Sequence, residues 1–434
     1  MLNSIWADTA ELPSFPQLDG DLKTDVLIVG GGMAGLLCAY MLAQEGVEYA
    51  LIEADTICSG VTRNTTAKIT SQHGLIYHQL LHRFDTDTAR LYWQINELAL
   101  QRYRDLCADI PCDFQNKDAF LYTLDDLNGL DKELDALNRA GIHADFVQTV
   151  PLPFSIAGAL CFRNQAQFHP LAFAAAIAKD LTIYEHTPMH AYKSGTVITP
   201  RGVIQAGCII MATHFPIINK HGSYFLKLYQ DRSYVLALEN AQDVDGMYLD
   251  ASGCGLSLRN QGNMLLIGGG SHRTGKRSSG WRIAEACARQ HYPSAKEVCR
   301  WAAQDCITLD GLPYIGRYSK STPDLFVATG FHKWGMTSSM AAAIILRDLV
   351  QGRDNLYASL FDPSRSMLRP QLMVNALEST LHLLKPTAPR CPHLGCALHW
   401  NRQEHSWDCP CHGSRFTQDG KLLDSPATGN LKRK

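Results

Sequence analysis

The sequence predicts an α/β protein. It should comprise a Rossmann-like nucleotide-binding layer, an interleaved α+β part, and a small cysteine-rich lobe at the C-terminal end. Three observations carry this reading. A β-branched run, Asp25–Val29, meets the glycine cluster Gly30-Gly31-Gly32, an apolar stretch of helical length and a second strand-like run, Tyr49–Glu53. That is the order of a β-α-β unit. Strand-like text then recurs late in the chain, where Leu325–Thr329 leads through a glycine turn into another apolar helix. Finally, Cys391, Cys396, Cys409 and Cys411 crowd into 21 residues, a density that points to metal in a chain without an export signal.

Taken in order, the N-terminal MLNSIWADTAELP has neither a basic region nor an apolar core. No signal peptide is expected, and the expected compartment is the cytoplasm. Val26–Ala43 is apolar throughout and approaches membrane-spanning length. Its three consecutive glycines, with Asp25 and Gln44-Glu45 as flanks, make it strand, turn and helix (Met33–Gln44) instead. Residues 87–106 and 125–142 carry apolar positions at 3.6 spacing and read as amphipathic helices. Residues 202–212, 232–237 and 264–268 read as strands, 336–349 and 366–384 as helices, and Lys385–Arg390 as a linker whose prolines stop the preceding helix.

Composition narrows the function classes. At about 150 residues per domain, the 434 residues amount to roughly three domains of chain. A hydrophobic share of 46% against 19% charged excludes a disordered protein. Lys+Arg number 40 and Asp+Glu 42, so there is no basic footprint for nucleic acid; Leu431-Lys432-Arg433-Lys434 is only a short solvated tail. Ten further cysteines lie singly in the first 310 residues and read as small buried hydrophobes.

Gly30, Gly32 and Gly35 fit GxGxxG between a strand and a helix, and Glu53 follows Gly35 by 18 residues at the end of the second strand. Gly30 permits the tight turn, Gly32 the approach of a pyrophosphate to the backbone, and Gly35 close helix–strand packing. The helix N-terminus offers N–H groups to phosphate, and Glu53 accepts from ribose hydroxyls. An acidic residue there disfavours a 2′-phosphate, which leaves FAD or NAD.

The loop Ser59–Gly74, the segment Met211-Ala-Thr-His214, the turn Asp310-Gly-Leu-Pro-Tyr-Ile-Gly316 and the far segment Ala328–Thr337 separate these two. Together they resemble the amine-oxidising FAD superfamily of D-amino-acid oxidase, glycine oxidase and sarcosine oxidase, over roughly residues 20–360. The resemblance implies FAD, lined by Thr62, Arg63, Asn64, Thr65, Thr66 and Lys68, by Ala212 and Thr213, and by Gly330, Trp334, Gly335, Met336 and Thr337. It also implies that the helix starting near Gly335 aims its positive end at the flavin O2 side. Cys306 lies near the place where sarcosine oxidases bond flavin covalently, but its offset to Asp310 differs, so no such bond is expected. His169 reads as a helix-start residue, and His78 and His82 as two exposed histidines without a third ligand. Arg232, Tyr234 and His272 are candidate pocket residues; the catalytic residues are unknown at this stage.

Cys391-Pro-His393-Leu-Gly-Cys396 and Cys409-Pro-Cys411-His412-Gly-Ser414 give one cysteine and one histidine per box in the order C-x-H…C-x-x-H. This resembles the Rieske proteins. Zinc fingers instead place cysteines in one box and histidines in the other. The resemblance implies a [2Fe-2S] cluster held by Cys391, His393, Cys409 and His412, with a potential somewhere in about −150 to +300 mV. It also implies a disulfide between Cys396 and Cys411, as in respiratory-type members. Ser414 matches a serine that hydrogen-bonds cluster sulfur, whereas Phe416 stands where high-potential members have tyrosine.

The whole chain resembles a bacterial family of fused FAD/Rieske oxidoreductases. The implied division is an FAD-dependent oxidoreductase part over 1–365, a helix and linker over 366–390, and a Rieske lobe over 391–434. Within the first part, cofactor-binding stretches are expected at about 20–85, 150–222 and 305–360, and substrate stretches at about 86–150 and 223–304. The expected function is oxidation of an amine or amino-acid-like small molecule, with electrons passing from FAD to the cluster and an external acceptor. The alternatives are an electron-transfer component supplying a partner oxygenase, against which stands the lack of a second GxGxxG for NAD(P)H, and a redox sensor.

Overall fold

The structure, a computed structural model, describes residues 3–219, 221–252, 255–386 and 389–432. Cys254, linker residues Thr387 and Ala388 and the tail residues Arg433 and Lys434 lie outside them.

The expected first strand is longer than read, Leu22–Val29, and pairs in parallel with Tyr49–Ile52 on one side and Gly202–Met211 on the other. Thr322–Thr329 adds in parallel to Gly202–Met211, and Tyr314–Ser319 closes that edge as an antiparallel partner. Ile183–Tyr184 and the hairpin Ala191–Lys193/Thr196–Thr199 complete an eight-stranded sheet. Val29, Met211 and Val327 stand in register, so three parallel strands end at the same level. A ligand site is expected at such carboxyl ends. The helix Met33–Gln44 packs against Gly335–Val350 on one face of this sheet, both of them apolar almost all round because they are buried almost all round.

The second sheet has nine strands in the path Lys296–Ile307, Tyr229–Glu239, Met264–Arg273, Ser257–Gln261, Met247–Asp250, Gln115–Thr123, Gly158–Gln167 and Lys68–Ile69, with Asp145–Val147 beside Gly158–Gln167. Gly158–Gln167 thus belongs to the second sheet. The stretch 150–222 therefore joins the nucleotide-binding layer only from the helix Pro170–Ala178 onward. Sequence periodicity passes over Gln115–Thr123 because its first half is polar and exposed and its second half buried on successive residues. The helices Thr86–Cys107 and Asn128–Ala140 cover the outside. The second begins three residues later than its periodicity indicates, because Asp126 Oδ1 accepts from Asn128 N and forms a turn there.

Pro370–Leu384 is the last helix, starting on its proline. The C-terminal lobe is a four-stranded antiparallel sheet of His399–Asn401, Ser406–Asp408, Arg415–Thr417 and Leu422–Asp424. It is fastened onto the second sheet. Gln230 Nε2 donates to His412 O (2.8 Å) and Ser425 O (2.9 Å), and Gln304 Nε2 donates to Gly413 O (2.9 Å). Arg273 donates to Pro410 O and Cys411 O, both at 3.0 Å. Arg232, a candidate pocket residue by sequence, instead forms a buried ion pair with Glu404 of the lobe.

Candidate cofactor-binding site and metal centre

At the carboxyl ends of the three aligned strands the glycines divide their labour. Gly30 has φ +112°, and a Cβ there would lie 2.6 Å from Ala212 O. A Cβ on Gly35 would lie 1.9 Å from Gly30 O, so Gly35 sets the contact between helix and strand. Gly32 meets nothing closer than Thr62 Oγ1 at 3.4 Å and leaves the helix start open toward a cavity of about 760 Å³. Met33 N donates to Thr62 Oγ1 at 3.1 Å. Glu53 Oε2 accepts from Gly31 N (2.6 Å) and Oε1 from Asp55 N (2.9 Å), while burial pushes its carboxyl above the usual range.

This cavity brings together every sequence-named cofactor residue except Gly35, Arg63 and Thr337. Gly35 is consumed by packing. Arg63, in the turn Val61–Asn64, does not line the cavity, and its carbonyl accepts from the Ser4 hydroxyl. Thr337 donates to Thr70 O at 3.2 Å and so ties the helix Gly335–Val350 to the loop that follows Lys68–Ile69. That helix begins at the cavity, with Gly335 and Met336 lining it. Trp334 stacks on His73 with ring centroids 4.5 Å apart, and burial pulls His73 down to about 3, which keeps it neutral. Lys68 Nζ donates to Tyr248 O (2.8 Å) and Ser257 Oγ (2.7 Å), and burial lowers its ammonium to about 7.

Sequence reasoning missed most of the opposite wall. Ser233, Ser257, Gly268, Gly269, Ser271 and Ala303 come from four strands of the second sheet. They are small residues with no motif spacing, so the available signal was the glycine run Gly268-Gly269-Gly270 inside the strand Met264–Arg273. Asp305, Lys333 and His214 also line the cavity, as do Thr187–His190 at the Glu53 end and Leu422–Ser425 of the lobe. Tyr234 and His272 do not: they stack on each other at 5.7 Å, with Tyr234 fully buried against Trp281. Cys306 is buried beside the cavity without lining it. His169 caps the helix Pro170–Ala178 through Nδ1, which accepts from Ala172 N at 3.1 Å, a structural role as read.

The second site is built from two loops of the same design. Cys391 N donates to Cys396 O and Gly395 N to Cys391 O, both at 2.9 Å. Cys409 N to Ser414 O and Gly413 N to Cys409 O repeat this at the same distance. Gly395 and Gly413 take the matching positive φ, +81° and +86°. The loops face each other, so the His393 and His412 rings lie 4.9 Å apart at 88°. The sulfurs of Cys396, Cys409 and Cys411 fall within 4.8 Å of one another, with Cys391 in the same buried cluster. Cys396 and Cys411 are unbridged here.

These groups fit an iron–sulfur cluster. His393 Nδ1 and His412 Nδ1 are buried without a hydrogen-bond partner, which is costly unless something accepts their lone pairs. Burial holds both rings neutral, lowering His393 to about 4 and His412 to about 3. Ser414 Oγ accepts from Ala427 N at 3.0 Å. Toward the first sheet, His393 and His412 pack edge-on to Phe215 at 6.3 and 6.2 Å, and His393 Nε2 lies 2.9 Å from Asn219 Oδ1. Phe215 directly follows the cavity-lining His214. The first cavity likewise fits a dinucleotide, because a bare Gly32 faces it at a helix N-terminus and Glu53 borders it.

Comparison with known proteins finds two families in the chain. Residues 25–349 match the family described as FAD dependent oxidoreductase, and residues 370–433 match the Rieske [2Fe-2S] domain. YhfW of Bacillus subtilis (strain 168), named as a Rieske 2Fe-2S iron-sulfur protein, is 35% identical over 503 residues, covering 99% of this chain and 96% of YhfW. The fold is similar to glycine oxidase from Geobacillus kaustophilus (TM-score 0.67, 20% identity, 80% of this chain and 100% of that one). It is equally similar to L-proline dehydrogenase from P.horikoshii (TM-score 0.67, 18% identity, 81% and 98%). Among the described residues no helix is long and apolar enough to cross a membrane. The chain therefore belongs to the FAD dependent oxidoreductases, and with its C-terminal Rieske domain it is an oxidoreductase whose cofactors are FAD and a [2Fe-2S] cluster.

Proposed function

We propose that the chain is a dehydrogenase for an amine or amino-acid-like substrate, with electrons leaving FAD through the Rieske cluster to an external one-electron acceptor. Bound FAD supplies a two-electron acceptor and the [2Fe-2S] cluster a one-electron carrier, so the pair can turn one two-electron oxidation into two single-electron exits. In this reading the residues named from sequence that line the cavity, from Gly30, Gly32 and Glu53 to Gly335 and Met336, hold FAD. Cys391, His393, Cys409 and His412 hold the irons, and Cys396 and Cys411 pair as the bridge that braces the two loops. The lobe begins at about residue 391.

One observation carries the reading. Gln230 lines the cavity and donates to His412 O, while Asp424 and Ser425 of the lobe form part of the same cavity wall. A single side chain therefore separates the cavity from a cluster loop. The small residues of the second sheet leave space in the cavity, and the neutral His73, stacked on Trp334, brings no charge to the cavity wall.

The test is anaerobic mixing with a panel of amines and amino acids. The flavin is followed by its absorbance and the cluster by its electron paramagnetic resonance. Bleaching of flavin before appearance of the reduced-cluster signal is expected, with faster turnover on ferricyanide than on oxygen. Stoichiometric hydrogen peroxide at a rate unchanged by loss of the cluster overturns it.

A further inference from the structure

We propose that Asp305 takes the positively charged nitrogen of the substrate and removes its proton. This rests on the amine-oxidation reading above and names the charge class that the cavity selects.

The strand Lys296–Ile307 turns Ala303 and Asp305 toward the cavity and Gln304 and Cys306 away from it. Asp305 makes no side-chain hydrogen bond or ion pair among the described residues. Its cross-strand neighbour shows what a satisfied carboxylate there looks like. Asp231 stands directly opposite Asp305 in the ladder and is held by Lys333 Nζ at 3.1 Å and Ser271 Oγ at 2.9 Å. Two carboxylates placed opposite one another repel, and the nearby ammonium of Lys333 is committed to Asp231. Lys333 and His332 hold left-handed conformations, φ +70° and +51°, in the turn that delivers that ammonium. Arg232 is taken by Glu404 and lies outside the cavity. His332 accepts from Thr308 N at 2.8 Å and is kept neutral by burial.

Of the other acidic residues lining the cavity, Glu53 is held by backbone N–H groups, Asp55 is exposed and Asp424 is paired with Arg415, which leaves Asp305 as the carboxylate without a hydrogen bond or ion pair among the described residues. Among the described residues no arginine lines the cavity, and its other lysine, Lys68, is bound to Tyr248 O and Ser257 Oγ. A ligand that completes this wall brings a cation to Asp305. The neighbouring side chains Ser233 and Ala303, with Gly269, are small enough to admit one.

The same surroundings suit Asp305 to proton removal. Burial, opposed by Lys333 and reinforced by Asp231, raises its carboxyl to about 6, close to the level at which a carboxylate works as a base near neutral pH. In the step, one N–H bond of the substrate ammonium breaks and one O–H bond forms on Asp305. The N–H electron pair stays on nitrogen as the lone pair, and no atom changes oxidation state. An ion pair becomes a neutral amine beside a neutral carboxyl, and the amine is left in the form that can be oxidised.

The experiment titrates the oxidised holoenzyme with n-propylammonium chloride or sodium propionate and reads the flavin absorption band, without turnover. Saturable perturbation by propylammonium and none by propionate at equal concentration is expected. Asp305→Asn should bind propylammonium at least about tenfold more weakly with FAD content unchanged, because a charge-assisted hydrogen bond has been removed. Asp305→Glu should keep the preference for the cation. Three results overturn the proposal: tighter binding of propionate, wild-type affinity in Asp305→Asn, or loss of FAD from Asp305→Asn with Asp305→Glu retaining no cation preference. Because binding is read without electron flow, its failure is distinct from failure of electrons to reach the cluster.

Discussion

Replacing Glu404 by glutamine should loosen the lobe without touching the FAD site. Glu404 lies at the centre of a buried charge network. It pairs with Arg232 of the second sheet and, at 2.8 Å, with Arg415 of the lobe, and Arg415 also reaches Asp408 (3.0 Å) and Asp424 (2.9 Å). Side-chain exposure is 6% for both arginines and 9% for Glu404. Burial alone would raise the Glu404 carboxyl, but Arg232 and Arg415 together bring it from 4.5 down to about 2. That displacement is worth about 3 kcal/mol of folding stability. It matches the roughly 3–5 kcal/mol expected when one partner of a buried pair is removed. A carboxyl lowered by folding stabilises fully above its unfolded value and stops doing so as pH falls through its folded value. The wild type should therefore lose this contribution between pH 4.5 and about 2, whereas Glu404→Gln lacks it at every pH. Urea unfolding followed by the visible circular dichroism of the cluster and by flavin fluorescence gives both readouts. The expected result is a cluster transition at lower urea in the variant, with the flavin transition and FAD stoichiometry unchanged. Superimposable cluster transitions at neutral pH, or a wild-type advantage that survives at pH 2, would refute the reasoning.

Gly35→Ala should abolish FAD retention, since its methyl would have to occupy the space 1.9 Å from Gly30 O; flavin content after purification measures this. Glu53→Arg should do the same by removing the acceptor that borders the cavity and placing a cation against Gly31 N. His393→Ala or His412→Ala should eliminate the cluster spectrum and leave the flavin, and metal analysis that finds zinc in place of two irons would contradict the assignment. Cys409→Ser should slow turnover with ferricyanide by at least about tenfold while substrate still bleaches the flavin, because the one-electron exit is lost.

What could be read from the sequence depended on how far apart in the chain the physics acted. The dinucleotide turn was legible because Gly30, Gly35 and Glu53 are forced by contacts within about 30 residues: a positive φ, a helix-to-strand contact and a strand end. The two matching cysteine-histidine loops were legible because their residue types and internal spacing repeat within a few residues of one another. The cavity's far wall was not, because Ser233, Gly269 and Ala303 matter only through their small size at positions fixed by strand pairing. Arg232 shows the opposite failure. A buried arginine on a central strand looked like a pocket residue, yet its partner Glu404 lies 172 residues away in the lobe. Arg63 was carried along with its neighbours in the loop although the turn Val61–Asn64 rotates it out.

The way the lobe is fastened has a consequence for how such a chain can diversify. Gln230, Gln304 and Arg273 all donate to main-chain carbonyls of the lobe, at His412, Ser425, Gly413, Pro410 and Cys411. A carbonyl is the same whatever side chain it carries. Apart from the glycines, the cysteines and the histidines, the loop residues can therefore be exchanged for ones that retune the cluster while the seam keeps its hydrogen bonds. The three donors, by contrast, have little freedom, because Gln230 and Arg273 each donate to two fixed carbonyls and Gln304 donates to a fifth and to Gln230 itself. Variation in redox character is thereby uncoupled from assembly, and drift should accumulate on the lobe's side of the seam rather than on the sheet's.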